Sequence, residues 1–179
     1  MNSESLSKEI SYALRHRPEQ YGIDLDEQGW ASIEVLILAL RKQERFKDVS
    51  IDDIEEMIAC SQKKRHEIQG GRIRALYGHS VGERINKEAL MPPDILYHGT
   101  AHKYLASISA EGLVSKNRQY VHLSEDVATA ILVGKRRDTN PVVLTVDTRR
   151  AWGDGVPFYF GGDGIWLADG IPPGYINFP

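Results

Sequence analysis

The stretch "RHEIQGGRIRALY" (65–77) contains two short alternating segments on either side of a glycine pair. Alternation of apolar and polar residues is typical of half-buried strands, and two such strands joined at Gly70-Gly71 predict a β-hairpin. Before the hairpin, "GWASI" (29–33) predicts a very short strand, and apolar residues at helical spacing predict three helices, at 6–14, 33–42 and 49–60. Three short helices followed by a hairpin indicate a winged-helix lobe over residues 1–84.

Serines near the start of each predicted helix are candidate N-caps. We expect Ser5 or Ser7 to cap the first helix, Ser32 the second and Ser50 the third.

The pattern changes after "INKEALMPPDI" (85–95), which we interpret as a linker. Residues 96–179 contain several short strands and two predicted helices, at 102–113 and at 124–136, the second capped by Ser124. "GGDG" (161–164) is predicted to be a turn, since no helix follows it. The predicted fold class is therefore α+β, with mostly antiparallel short strands in the C-terminal lobe.

The composition limits the kinds of partner. With 22 Lys and Arg against 25 Asp and Glu, the net charge of −3 gives no general attraction to nucleic acid, so a phosphate site must be a local basic cluster. Cys60 is the only cysteine, which excludes an internal disulfide and fits a reducing cytoplasm. The first ten residues are polar, without the apolar core of a signal peptide, and no run of 18 apolar residues occurs, so we expect a protein that is neither secreted nor membrane-spanning. Nothing indicates an obligate protein partner.

Basic residues gather in "YALRHRPEQYGI" (12–23), where Arg15, His16 and Arg17 precede Pro18. Cations suit the negative end of a helix dipole, and this is one interpretation of the cluster. The other is an anion-binding site. Taken singly, such arginines are more often ordinary surface residues.

A metal site is not expected. His98 and His102 in "HGTAH" are four residues apart, but the motif begins at the end of an apolar strand, so the two rings do not share a helix face. No carboxylate lies at ligand spacing from them.

Six motifs occur along the chain: "YALRH", "KKRHEI", "RIRALYGHS", "ILYHGT", "RQYVHLS" and "GIWLADGIPPGYI". In order and spacing they resemble those of the RNA 2′-phosphotransferases, whose fungal members remove a 2′-phosphate at the end of tRNA splicing. The resemblance covers nearly the whole chain. It implies a winged-helix RNA lobe followed by an NAD lobe, residues 96–179, similar to the ADP-ribosyltransferase toxins.

The resemblance also implies the residues of the active site. Matched motif by motif, the catalytic set is Arg15, His16, Arg65 and Arg118. The NAD site is implied at these residues: His98, Gly99, Thr100 and His122, with His79 and Ser80 as weaker candidates.

Gly99 carries a separate expectation. The resemblance implies that its backbone approaches the nicotinamide amide, so we expect Gly99→Val to weaken NAD binding and leave the fold intact.

Three positions depart from related patterns. Relatives often have Gln where this chain has Tyr77, and Asn where it has Asp163; either position could touch the cofactor or the RNA. The toxins carry a glutamate on a late strand where this chain has Ile165.

The implied reaction is an NAD-dependent RNA 2′-phosphotransfer in two steps. An internal RNA 2′-phosphate displaces nicotinamide from NAD⁺, giving a 2′-phospho-ADP-ribosylated RNA. The ribose 2″-hydroxyl then attacks the phosphorus, which releases 2′-hydroxyl RNA and ADP-ribose 1″,2″-cyclic phosphate. Arginines can offset the phosphate charge without a metal, and His16 is the candidate for proton transfer.

Two other functions are compatible with parts of the sequence. An ADP-ribosyltransferase would perform the first step and stop. The Arg-His set, which the second step needs, argues against this function. A non-catalytic winged-helix RNA or DNA binder would leave "HGT" and "VHLS" unexplained, and the net negative charge does not favour it.

Overall fold

The computed structural model describes residues 2–179. The chain divides into two compact units, the first ending at Asn86 and the second spanning Lys87–Pro179. This boundary falls within the segment interpreted as a linker, and the predicted lobe limits stay predictions. Both units combine helices with antiparallel strands, as the sequence predicts. No helix within residues 2–179 is long and apolar enough to cross a membrane.

The first unit contains three helices and a three-stranded antiparallel sheet in the order β1-β3-β2. Its elements are α1 Ser3–Arg15, β1 Trp30–Ser32, α2 Ile33–Leu40, α3 Ile51–Cys60, β2 His66–Gln69 and β3 Arg72–Ala75, with 3₁₀ helices at Pro18–Tyr21 and Glu44–Phe46. The predicted hairpin is confirmed as β2 and β3, with Gln69 opposite Arg72. Gly70 and Gly71 both have positive φ, 57° and 72°, which a two-residue hairpin turn of type I′ requires.

The helix caps are only partly as expected. Ser32 and Ser50 cap α2 and α3 as predicted, and Ser50 forms a capping box with Asp53. The expectation for α1 is wrong, because Asn2 caps it: the Asn2 side-chain oxygen accepts from the Glu4 amide at 3.0 Å. Asparagine is among the best N-cap residues, so the helix begins before the two serines.

The core of the first unit forms along one face of α1. Leu6, Ile10 and Leu14, at a spacing of four residues, are fully buried in a cluster with Met57 of α3 and Ile73 of β3. This packing fixes the position of the last turn of α1, where Arg15 lies.

The second unit contains a six-stranded antiparallel sheet in the order β11-β7-β4-β6-β9-β8, and a separate pair of β5 with β10. Its elements are β4 Ile95–Thr100, α4 Leu105–Glu111, β5 Leu113–Val114, β6 Val121–Ser124, α5 Val127–Gly134, β7 Val142–Asp147, α6 Thr148–Gly153, β8 Phe158–Gly162, β9 Ile165–Ala168, β10 Gly170–Ile171 and β11 Ile176–Asn177.

Two sequence expectations in the second unit need correction. Ser124 does not cap α5, since it ends β6; Asp126 is the cap and accepts from the Thr129 amide at 2.7 Å. Helix α6 was not predicted; it follows β7 directly and is capped by Asp147. The turn predicted at "GGDG" (161–164) is confirmed at Asp163 and Gly164, between β8 and β9, whereas Gly161 and Gly162 are the last residues of β8.

The six-stranded sheet is weakly joined at its centre. Strand β4 pairs with β7 from Ile95 to Thr100, and β6 pairs with β9 from Val121 to Ser124. Between β4 and β6 the ladder contains a single pair, Tyr97 with Ser124. Beyond that pair the two halves of the sheet separate, and the motif "HGT" lies on β4 at this separation.

Candidate active site

An open groove runs along α1 in the first unit and has a volume of about 810 Å³. Its other wall is formed by the end of α3 and residues 61–65. Arg15, His16 and Arg65 all line this groove, so the structure brings three of the four predicted catalytic residues together.

Arg15 lies in the last turn of α1 and is held from two sides. Its Nη2 atom donates to the Arg65 carbonyl over 3.4 Å, and its Cζ atom lies 5.0 Å from the centre of the Tyr77 ring. A cation over an aromatic face is attracted to it, which favours one orientation of the guanidinium. Gly78 lies against the same side chain: a Cβ built there would be 3.5 Å from Arg15 Nη1.

His16 follows the last helical residue and is bonded to Ser80. Its Nδ1 atom lies 2.8 Å from the Ser80 hydroxyl, and the Ser80 amide donates to the Arg15 carbonyl at 2.9 Å. The segment after β3 therefore holds both residues at the end of α1. The direction of this hydrogen bond depends on the His16 tautomer: Nδ1 donates to the Ser80 hydroxyl when it carries a proton and accepts from it when it does not. The implied role of Ser80 in the NAD site stays a prediction.

His66, which the sequence analysis did not select, lies behind the two arginines. It is 3% exposed, and its Nε2 atom lies 2.9 Å from the Ser11 hydroxyl. Burial, followed by the positive charges of Arg15 and Arg65, lowers the pKa of His66 to about 3. Both arginine charges therefore act on one buried ring, which stays neutral near pH 7. Ser11 could have been selected from the sequence, because it lies four residues before Arg15 and therefore on the same face of the helix.

The remaining basic residues lie elsewhere. Arg17 is exposed and pairs with Glu19 at 3.5 Å, as an ordinary surface residue does. Arg118 is exposed in the segment between β5 and β6 of the second unit, so its place in the catalytic set stays a prediction.

His98 lies on β4 where the sheet separates. Its Nδ1 atom is 2.9 Å from the His122 carbonyl, and since a carbonyl only accepts, Nδ1 carries the proton. Burial lowers the pKa of His98, so the ring is neutral with a lone pair on Nε2. The His122 ring likewise donates from Nδ1, to the Tyr120 carbonyl at 3.0 Å.

Gly99 has a structural role that the sequence analysis did not predict. A Cβ built on it would lie 1.8 Å from the Ala130 carbonyl oxygen and 3.1 Å from the Gly134 nitrogen, both in the backbone of α5. The expectation that Gly99→Val leaves the fold intact is therefore wrong, because α5 packs directly on this position. Whether the Gly99 backbone also approaches nicotinamide stays a prediction.

The other implied NAD residues are distributed between the units. Thr100 ends β4 and is 6% exposed, whereas His79 is 3% exposed and belongs to the first unit, where it packs beside Gly29. Their roles toward NAD stay predictions.

Two of the three departures now have local explanations. Tyr77 provides the ring under the Arg15 guanidinium. Asp163 occupies the turn between β8 and β9 with a φ of 53°, a left-handed conformation that Asn and Asp tolerate better than most residues. Ile165 begins β9 and is 8% exposed.

Residues 2–179 contain no group of three or more His, Cys, Asp or Glu side chains that could hold a metal ion.

Comparison with known proteins bears directly on this arrangement. The family model described as "RNA 2'-phosphotransferase, Tpt1 / KptA family" matches residues 1–170. A probable RNA 2′-phosphotransferase of Acetivibrio thermocellus is 54% identical over 173 residues, covering 97% of this chain and 95% of the relative. One of Bacillus thuringiensis subsp. konkukian is 52% identical, covering 96% and 93%. One of Streptomyces coelicolor is 40% identical, covering 97% and 94%.

These matches extend over both units and define a transferase. The chain belongs to the RNA 2′-phosphotransferase family, as its motifs indicated.

Proposed function

We propose that this chain removes an internal 2′-phosphate from RNA by transferring it to NAD⁺. The products are RNA with a 2′-hydroxyl, ADP-ribose 1″,2″-cyclic phosphate and nicotinamide, and the reaction passes through a 2′-phospho-ADP-ribosylated RNA. The observation that carries the proposal is the convergence of Arg15, His16 and Arg65 on one groove, in a chain of this family.

Arg15 and Arg65 bind the 2′-phosphate. A guanidinium presents a planar fork of donors that matches two phosphate oxygens, so it orients the group as well as neutralising it. The Tyr77 ring and the Arg65 carbonyl keep the Arg15 fork in place before the substrate arrives. Because His66 stays neutral behind them, it adds no further positive charge to the cluster.

NAD⁺ is a substrate that supplies an electrophilic ribose carbon and, later, the 2″-hydroxyl. His98, Gly99, Thr100 and His122 are the residues proposed to hold it, with His79 and Ser80 as the weaker candidates. The His98 ring supports this assignment, because a neutral Nε2 accepts a hydrogen bond and a ribose hydroxyl donates one.

The second step needs a proton transfer. As the 2″-oxygen bonds to phosphorus, the bond from phosphorus to the RNA 2′-oxygen breaks, and one proton moves from the attacking hydroxyl to the departing oxygen. His16 is proposed to handle this proton, with Ser80 as the positioning residue that sets its tautomer.

Charge that develops on the phosphate is offset by arginines, including Arg118 of the second unit. Preorganised donors of this kind can stabilise such a transition state without a metal ion. The cytoplasm is the proposed location of the enzyme, and an RNA left by tRNA splicing is one source of its substrate.

The test uses a 2′-phosphorylated hexanucleotide, incubated with and without NAD⁺ in excess EDTA, with products identified by mass. We expect loss of the 2′-phosphate only when NAD⁺ is present. Conversion that stops at ADP-ribosylated RNA would indicate an ADP-ribosyltransferase, and RNA binding without conversion would indicate a non-catalytic binder. Activity that requires added Mg²⁺ would contradict the role given to the arginines.

A further inference from the structure

The groove beside α1 extends well beyond the predicted phosphate site. Residues from Ser3 to His16 line it, so it follows the whole 13-residue helix. At about 1.5 Å per residue, this helix is about 20 Å long. A single phosphate at Arg15 fills one end of such a groove and leaves room for further nucleotides.

Tyr12 is an exposed aromatic residue in this groove, one turn before His16. Tyr12 is 41% exposed, so part of the ring is accessible from the groove. The Tyr12 and His16 ring centres are 6.1 Å apart, and the Tyr21 ring meets Tyr12 edge-on at 6.4 Å. This edge contact restrains the Tyr12 ring beside the residue proposed to act on the 2′-phosphate.

The groove is also positively charged. Glu4 is the only acidic residue among the described residues that line it, and it pairs with Lys8 at 2.7 Å. Lys63, on the opposite wall, adds a positive charge to those of Arg15 and Arg65. The groove therefore has a net positive charge within a chain whose overall charge is −3. This local excess is complementary to a nucleic-acid backbone.

We propose that this groove binds the single-stranded RNA next to the 2′-phosphate, with a base stacked on Tyr12 and a backbone phosphate held by Lys63. The proposal rests on the proposed function, because the 2′-phosphate at Arg15 sets where the strand begins. A base can stack on an exposed side chain only when it is not paired within a duplex, so the preferred substrate is single-stranded around the modified nucleotide.

Binding is measured by fluorescence anisotropy of a labelled, 2′-phosphorylated hexanucleotide across a range of salt concentrations. Loss of one phosphate contact to a single strand reduces the slope of log K against log salt by about 0.7. We expect this reduction for Lys63→Gln. The control Lys42→Gln removes an exposed charge of the same unit outside the groove and should keep the parent slope. An unchanged slope for Lys63→Gln would overturn the contact.

The stacking contact is tested with two substitutions of the same ring. Tyr12→Ala should weaken hexanucleotide binding about tenfold, whereas Tyr12→Phe, which keeps the ring, should stay within about twofold of the parent. Equal weakening by both substitutions would show that the hydroxyl, and not the ring, matters. Hybridising the hexanucleotide to its complement should reduce parent affinity by at least about tenfold, and equal affinity would overturn the preference for single strands.

Substrate length separates this proposal from the proposed function. We expect the parent to convert the hexanucleotide with a kcat/KM at least about tenfold above that of a 2′-phosphorylated dinucleotide, and Tyr12→Ala or Lys63→Gln to reduce this advantage. Equal kcat/KM for the two lengths would overturn the groove proposal and leave the proposed function standing. If neither RNA is converted but binding shows the slope and stacking effects above, the groove proposal stands and the proposed function fails.

Discussion

Replacing His66 by glutamine tests whether burial, together with the charges of Arg15 and Arg65, keeps the His66 ring neutral behind the phosphate site. The folded pKa of His66 is about 3, against an ordinary value of 6.5. Between these values the unfolded chain binds a proton that the folded chain does not, so the free energy of unfolding falls as the pH drops. From about pH 7.5 to about pH 5 the expected loss is about 2 kcal/mol.

The glutamine variant cannot titrate, and its amide can still reach the Ser11 hydroxyl that His66 contacts. Between the same two pH values, we expect the free energy of unfolding of the variant to fall by about 2 kcal/mol less than that of the parent. The measurement is urea unfolding followed by the NMR signals of the first unit at both pH values. If parent and variant lose the same stability between the two pH values, His66 titrates normally and the electrostatic account of the cluster is refuted.

Three further predictions concern the two units. Ser80→Ala should lower kcat by roughly fivefold, which corresponds to one hydrogen bond of about 1 kcal/mol, and should shift the pH profile of kcat. Ser80→Thr keeps the hydroxyl and should have the kcat and pH profile of the parent. A parent-like profile for Ser80→Ala would exclude a positioning role. Alanine at Arg15, His16 or Arg65 should slow the second step roughly a hundredfold or more, so a gel time course should show ADP-ribosylated RNA accumulating; variants that convert RNA like the parent, or that leave only unreacted substrate, would contradict this division of roles. Gly99→Ala should destabilise the second unit by about 1–3 kcal/mol in thermal unfolding, whereas Gly153→Ala, with no atom within 4 Å of the new Cβ, should not; equal melting temperatures would argue against the packing of α5 on Gly99.

Local structure was largely predictable from the sequence because its causes are local. The glycine pair at Gly70 and Gly71 and the serines before α2 and α3 act within a few residues, and each formed the predicted turn or cap. The wrong caps have a physical reason as well: Asn2 lies three residues before Ser5 and five before Ser7, Asp126 lies two residues after Ser124, and Asn or Asp side chains accept from a helix amide as serine does. Sequence alone does not decide between acceptors that are so close along the chain.

The contacts that shape the candidate site were not predictable in this way. His16 and Ser80 are 64 positions apart, and His66 meets Ser11 across 55 positions, so no local pattern shows either pair. Gly99 illustrates the same limit: the absence of a side chain was attributed to the cofactor, but the backbone of α5 fills that space. The motifs indicated which residues form the candidate site, and only the structure shows which side chains and backbone atoms they contact.

The central claim is that the RNA 2′-phosphorus moves to the ribose of NAD⁺ and not to water. It is tested most directly with RNA that carries a radiolabelled 2′-phosphate, incubated with NAD⁺ and the enzyme in ¹⁸O-enriched water. We predict that the label appears in ADP-ribose 1″,2″-cyclic phosphate and that this product contains no ¹⁸O when it is first released. Release of the label as inorganic phosphate containing ¹⁸O, at the same rate with and without NAD⁺, would show a hydrolase and contradict the account.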